Sequence, residues 1–348
     1  MRRLAGRRGA FRTGGSSLAA VLVLVVSAGA RAFCRTTTCS PDDPNQPCSM
    51  GADGCITGGK PLYWPGACVS FSVQKNGSPL RHISEQTAEQ VISAALGQWA
   101  GADCGGGTHP SIGIYDHGAV SCDKQEYNQH SGNANIFMFR DKAWPYDTGG
   151  SGASVETLAL TTVTYNINTG EIYDADVEIN SHDAPITVGD QNVQADLASI
   201  LTHESGHFLG MAHTTVTDAT MYPSYQYGDT SLRTLAQDDI DGICAIYPPY
   251  RMVGACDPTP RHGYATACAA PPAAGCGCSL EGSGERREGA PLEAALVALG
   301  LLLRRRRGSC LRFATRPKQH ALRTAFPGRI LVEQQRIAAV RSAEEVST

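Results

Sequence analysis

The chain has 348 residues, a formal net charge of −4 and only 18% charged residues. That length suits one sizeable domain with appendages. The near-neutral balance, without a basic stripe, points away from nucleic acid as a partner. Thirty-eight glycines and thirteen cysteines fit a loop-rich exported protein better than a cytosolic helical one.

Residues 1–32 read as a signal peptide. Arg2, Arg3, Arg7, Arg8 and Arg12 form a basic start, residues 18–26 are apolar, and Ala30-Arg31-Ala32 is an A-x-A cleavage site. The mature chain is expected to begin at Phe33. The apolar run is too short for a permanent span, and no lipobox precedes Cys34. The expected location is therefore extracellular or at the cell surface. All thirteen cysteines follow the cleavage site, so disulfides are expected, with at least one cysteine left over. Their connectivity stays open. Proximity in sequence suggests Cys104–Cys122 as a loop staple.

Residues 33–66 carry Cys34, Cys39, Cys48 and Cys55 among Pro, Asp, Gly and Thr, without periodicity. They read as a disulfide-tied extension. A folded domain is expected over 67–249. Residues 68–74 alternate and are rich in Val and Phe, which predicts a strand before an Asn76-Gly77 turn. Ser84 caps a predicted helix to about Trp99, with Ala88, Val91, Ile92, Ala95, Leu96 and Trp99 as its apolar stripe. Short strands are expected at 111–115 and 135–139. Two more, at 157–164 and 171–179, should form a hairpin around residues 166–170.

A helix over 190–209 follows, with Val193, Leu197, Ile200, Leu201 and Phe208 on its buried face. It leads into His203-Glu204-Ser205-Gly206-His207-Phe208-Leu209-Gly210-Met211-Ala212-His213. This is H-E-x-x-H-x-x-G-x-x-H, five positions fixed in eleven. His203 and His207, four apart, share one helix face and can hold one Zn2+. Gly210 tolerates φ > 0, so it can end the helix and return His213 as a third ligand. Three protein ligands leave a fourth position for water, the mark of a catalytic rather than a structural zinc. Glu204 is placed to act on that water. A last helix is expected from a Thr234 cap to about Tyr247, packing Ile240, Ile243, Ala245 and Ile246 beneath the site.

The eleven-residue motif, with Ala219-Thr220-Met221-Tyr222-Pro223 downstream, resembles the zinc signature and Met-turn of the metzincin endopeptidases. Pro223-Ser224-Tyr225 and Leu235-Ala236-Gln237-Asp238-Asp239-Ile240-Asp241-Gly242-Ile243 resemble the S1′ wall and C-terminal helix of the matrixins, the matrix-metalloprotease branch. Asp176-Val177-Glu178-Ile179-Asn180 resembles their last strands. The likeness covers roughly 67–249 and is strongest over 171–247. It implies an α+β fold: a twisted, mostly parallel sheet with an antiparallel edge strand, an active-site helix and a C-terminal helix. It implies one zinc on His203, His207 and His213, Glu204 as general base, Met221 as the floor, and Pro223 and Tyr225 at the S1′ wall. Tyr225 or Tyr227 is then the candidate oxyanion donor. Residues 154–162 become the candidate edge for an extended protein or peptide substrate.

The chain departs from vertebrate matrixins in two ways. Residues 147–156 and 182–191 lack the histidine-rich ligand set of a second zinc, so none is expected. Asp174, Asp176, Asp183 and Asp190 are the candidate Ca2+ ligands, against the plainer reading of solvated loop carboxylates. No Pro-Arg-Cys-Gly propeptide segment is found, so cysteine-switch latency is not expected. A zinc-stabilised surface or adhesion protein without turnover is the competing reading, against which Glu204 argues. An astacin-like or serralysin-like branch, with tyrosine as a further ligand, is another, against which the 235–243 helix argues.

Residues 250–275, rich in Pro, Ala, Gly and Cys, read as a linker. Residues 276–307 resemble myxobacterial C-terminal sorting signals: Cys276-Gly277-Cys278-Ser279, an apolar run, then Arg304-Arg305-Arg306-Arg307. That implies sorting machinery at the membrane as a partner. The run is ~14 residues, ~21 Å as a helix, short of a bilayer core. Residues 308–348 form a basic tail with no role legible in the sequence.

Overall fold

The computed structural model describes residues 33–39, 47–146 and 157–269, and the backbone of 330–331 and 336–340. The expected signal peptide, the loop 147–156 and the sorting signal lie outside the described residues.

The chain opens with three two-residue strands, β1 (Cys34–Arg35), β2 (Ser49–Met50) and β3 (Ile56–Thr57). Then come β4 (Cys68–Gln74), α1 (Glu85–Ala100), β5 (Gly113–Val120), β6 (Ile136–Phe139), β7 (Ala159–Asn166) and β8 (Ile172–Ile179). Short β9 (Ile186–Thr187) and β10 (Ala195–Asp196) lead into α2 (Leu197–Phe208), followed by β11 (Met211–Ala212), β12 (Ser224–Tyr225) and α3 (Gln237–Ile246). Two tail strands, β13 (Ile330–Leu331) and β14 (Arg336–Val340), complete the order.

One sheet, ordered β14-β7-β8-β6-β4-β5, dominates. β5, β4, β6 and β8 run parallel, and β7 turns back antiparallel on β8, as the expected α+β fold requires. β8 alternates from Asp174 onward. Ala175, Val177 and Ile179 join the hydrophobic core beside α2, while Asp174, Asp176 and Glu178 line the opposite, also buried, face. α1 forms as expected. Ser84 accepts the Thr87 N–H at 3.0 Å, and Ala88, Ile92, Ala95, Leu96 and Trp99 are buried.

Several boundaries differ from expectation. α2 begins at Leu197, because Asp196 caps it, and Val193 lies outside it. Thr234 does not cap α3. The N-cap is Ala236, and Asp239 turns back to accept the Ala236 N–H at 2.9 Å. The Cys104–Cys122 pairing is overturned: the bonds are Cys104–Cys244 and Cys122–Cys268, with Cys34–Cys55, Cys39–Cys48 and Cys68–Cys256. Proximity in sequence misled because the folded chain brings residues separated by 140 and 146 positions together. The stretch expected as a linker is packed as far as it is described. Cys256 and Cys268 fix it, Tyr264 stacks on His117 at 4.3 Å, and Ser121 donates its N–H to the Thr266 carbonyl at 2.7 Å.

Candidate active site

α2 is buried on nearly every side, so it behaves as a central element rather than a surface helix. Its start is pinned by Asp196, which accepts the Ser199 N–H at 2.9 Å and is itself gripped by Arg233 through Nε at 2.8 Å and Nη2 at 2.7 Å. Its end is Gly210, at φ +97, where a Cβ would stand 2.8 Å from the Leu62 carbonyl oxygen. Only glycine fits that turn. The last carbonyls find distant donors: Trp64 Nε1 to Phe208 at 2.8 Å, and the Tyr247 hydroxyl to Leu209 at 2.9 Å.

The turn brings His213 back over the helix. His203 Nε2 lies 3.2 Å from His213 Nε2 and 3.2 Å from His207 Nε2. His203 Nδ1 stands 2.6 Å from the Thr220 carbonyl, and His207 Nδ1 stands 2.9 Å from the Met211 carbonyl. A carbonyl oxygen only accepts, so both Nδ1 atoms carry the proton and both Nε2 lone pairs face the common point. Three nitrogens held tetrahedrally by zinc would stand roughly 3.3–3.4 Å apart. The three imidazoles, two of them with tautomers fixed by backbone carbonyls, fit that ion. Among the described residues one other group of metal-type donors is as close, Cys122, Glu126 and Cys268, and its cysteines are joined as a disulfide.

Glu204 is fully buried, and its Oε2 accepts the Thr161 hydroxyl of β7 at 2.5 Å. Met221 is also fully buried, below α2. A Cβ added at Gly206 would stand 2.3 Å from Met221 Sδ and 2.7 Å from Trp99 Cζ2. The turn carrying Met221 hangs on Asp239, which accepts the Thr220 N–H at 2.7 Å and the Met221 N–H at 3.1 Å. Burial pushes the Asp239 carboxyl above its usual range, against the pull of those backbone donors. Asp239 thus reaches His203 through one peptide unit, since the Thr220–Met221 peptide offers its N–H to Asp239 and its carbonyl to His203.

Pro223 is half-buried and Ser224-Tyr225 forms β12 beside it. Tyr225 is not an oxyanion donor, the role set out for it above. Its hydroxyl accepts the Asp196 N–H at 3.0 Å and donates to the Asp229 carbonyl at 2.6 Å, so it braces the start of α2. Burial pushes that hydroxyl up to about 12. The four candidate calcium ligands are not brought together either. Asp174 and Asp176 are buried on β8, Asp183 bonds His182, and Asp190 pairs with Arg233. Thr161, Gly206, Trp64 and Thr36 were missed in the sequence, because nothing in their local context separates them from ordinary strand, helix or loop residues.

The matrixin family profile matches residues 124–248. Human neutrophil collagenase is 42% identical over 82 residues, 22% of this chain and 18% of the relative. Bovine interstitial collagenase is 54% identical over 55 residues, 16% and 11% of the two chains. The Arabidopsis thaliana metalloendoproteinase 5-MMP is 41% identical over 70 residues, 20% and 18%. The chain thus spans less than a fifth of the length of these relatives. The aligned stretch, the mostly parallel sheet and the three-histidine site agree: the chain carries a matrixin-type, matrix-metalloprotease-like domain.

Proposed function

We propose that this chain is an exported zinc-dependent endopeptidase. The observation that carries the reading is the convergence of three Nε2 atoms, two with their tautomers fixed by backbone carbonyls, beside the buried carboxylate of Glu204. His203, His207 and His213 would hold one zinc, whose contribution is Lewis acidity toward a carbonyl and a lowered pKa for water. Glu204 takes the proton from the attacking water and passes it to the leaving amine nitrogen as the C–N bond breaks. Thr161, donating to Oε2, holds that carboxylate in place. Met221 packs beneath the histidines as a floor. Pro223 and β12 form one wall of the cleft, and residues 159–161 of β7 the other, to which an extended substrate adds as a strand.

The layout proposed around this domain is a signal peptide over 1–32, an extension over 33–66, the catalytic domain over 67–249, and a sorting signal over 276–307 that engages membrane machinery. Five disulfides among the described residues agree with an oxidising compartment. Calcium is proposed only at Asp174 and Asp176, neighbours on one buried face of β8. It would show as a rise in Tm on adding Ca2+.

The test is cleavage of a quenched fluorescent peptide library by the secreted chain and by Glu204→Ala, with zinc content measured for both. Cleavage abolished by a chelator, and an inactive variant that keeps one zinc, support the reading. Zinc bound by both with no cleavage by either favours the non-catalytic adhesion protein.

A further inference from the structure

The third histidine is held by a part of the chain far upstream of the family match. Thr36 donates its N–H to the Gly210 carbonyl at 3.0 Å and its hydroxyl to the Met211 carbonyl at 2.8 Å. That second carbonyl is the one His207 Nδ1 uses. β1 pairs antiparallel with β11, with Arg35 opposite Met211 and Cys34 opposite Ala212, one residue before His213. On the other side of His213, the Thr215 hydroxyl donates to the Asp53 carbonyl at 3.2 Å, and Gly54 lies so close to Thr215 that a Cβ would stand 2.8 Å from its methyl. The two arms, 34–36 and 53–55, are joined by the Cys34–Cys55 disulfide. Cys34, Thr36 and Cys55 are all buried.

We propose that this clasp positions the metal ligands: Thr36 is a positioning residue for His207, and the Cys34–Cys55 bond is one for His213. The inference rests on the zinc reading above. The physical reason is that His213 sits on a glycine turn beyond the end of α2, where helix geometry no longer constrains it. Two short backbone contacts from β1, closed by a covalent bond, replace that constraint. Thr36 sets the direction of the Met211 carbonyl, and that carbonyl sets the ring of His207. Loss of such outer partners lowers metal affinity by about 10–100-fold. The extension is then part of the metal site, not an appendage to it.

The experiment measures zinc Kd by competition with a chromogenic chelator on the full secreted chain, together with Tm of the zinc-free form. Thr36→Val keeps the N–H and the branched shape but loses the hydroxyl. It should weaken zinc binding about 10–100-fold with little change in zinc-free Tm, and Thr36→Ser should restore binding. A Cys34→Ser/Cys55→Ser pair should weaken it at least as much. Cys39→Ser/Cys48→Ser, which opens a disulfide of the same extension that does not grip 210–215, should leave Kd unchanged. Wild-type Kd in both Thr36→Val and Cys34→Ser/Cys55→Ser overturns the clasp. If the double variant fails to fold, the Thr36→Val and Thr36→Ser pair decides. A wild-type chain that binds no zinc refutes the metal reading itself and is distinguishable from failure of the clasp.

Discussion

The Thr161 hydroxyl lies 2.5 Å from Glu204 Oε2, joining the antiparallel strand β7 to the active-site helix inside the core. A hydrogen bond to a charged group is worth about 1.5–3 kcal/mol. Thr161→Val keeps the shape and removes the donor, so kcat should fall roughly 10–100-fold with zinc content unchanged. Glu204→Ala should fall by several orders of magnitude, also with zinc retained. Steady-state kinetics with parallel metal analysis checks both, and a Thr161→Val chain with wild-type kcat would remove Thr161 from the mechanism.

Two glycines of the helices make opposite predictions. Gly206 faces Met221 and Trp99 at distances a Cβ cannot share, so Gly206→Ala should lose about 1–3 kcal/mol by overpacking. Gly97, within α1, has nothing within 4 Å of an added Cβ. Gly97→Ala should gain up to about 1 kcal/mol from helix propensity. Denaturant unfolding of both reads the difference. Met221→Leu, close in volume, should cost less than about 1.5 kcal/mol.

Asp174 supplies a pH test. Its two carboxylate oxygens accept no hydrogen bond among the described residues, and it is fully buried. Burial, then Asp176, then Glu126 push its carboxyl well above the ordinary 3.8. The folded chain therefore holds this proton where the unfolded chain releases it, and stability must fall as pH rises from the ordinary value through the raised one. Asp174→Asn, which does not ionise, should flatten that part of the curve. Its advantage over wild type should be greatest at neutral to alkaline pH and should vanish in acid. Thermal melts in chelator, from about pH 4 to about pH 9, test this. Equal slopes for the two chains would contradict it. In added calcium the order should reverse if Asp174 is a ligand.

The tail supplies a further test. β13 pairs antiparallel with β12, with Ser224 opposite Leu331, and β14 pairs parallel with β7, from Thr162 opposite Arg336 to Asn166 opposite Val340. β12 is one wall of the proposed cleft, and the stretch of β7 that β14 covers begins directly after the 159–161 wall. A chain ending at residue 307 should bare both edges and lower KM on the order of tenfold with kcat unchanged, as removal of a competing internal occupant does. An unchanged KM would mean that the tail does not compete with substrate.

The residues of the site were legible in the sequence because their chemistry is local. Two histidines four apart on a helix, and a third returned by a glycine turn, lie within ten positions of one another, and local geometry is enough to bring them together. The strands β4, β7 and β8 and the helix α1 were legible for the same reason, through periods of 2 and 3.6. Residues 34–36, the Thr161 contact, the Asp239 support and every disulfide partner were decided only by the tertiary structure. Thr36 acts on residues 175 positions away, and Cys68 bonds a cysteine 188 positions away. Such contacts depend on sheet order and on where the chain re-enters, and no local period encodes either. Tyr225 shows the converse: its place after the Met-turn suggested a role toward substrate, and packing committed its hydroxyl to the start of α2.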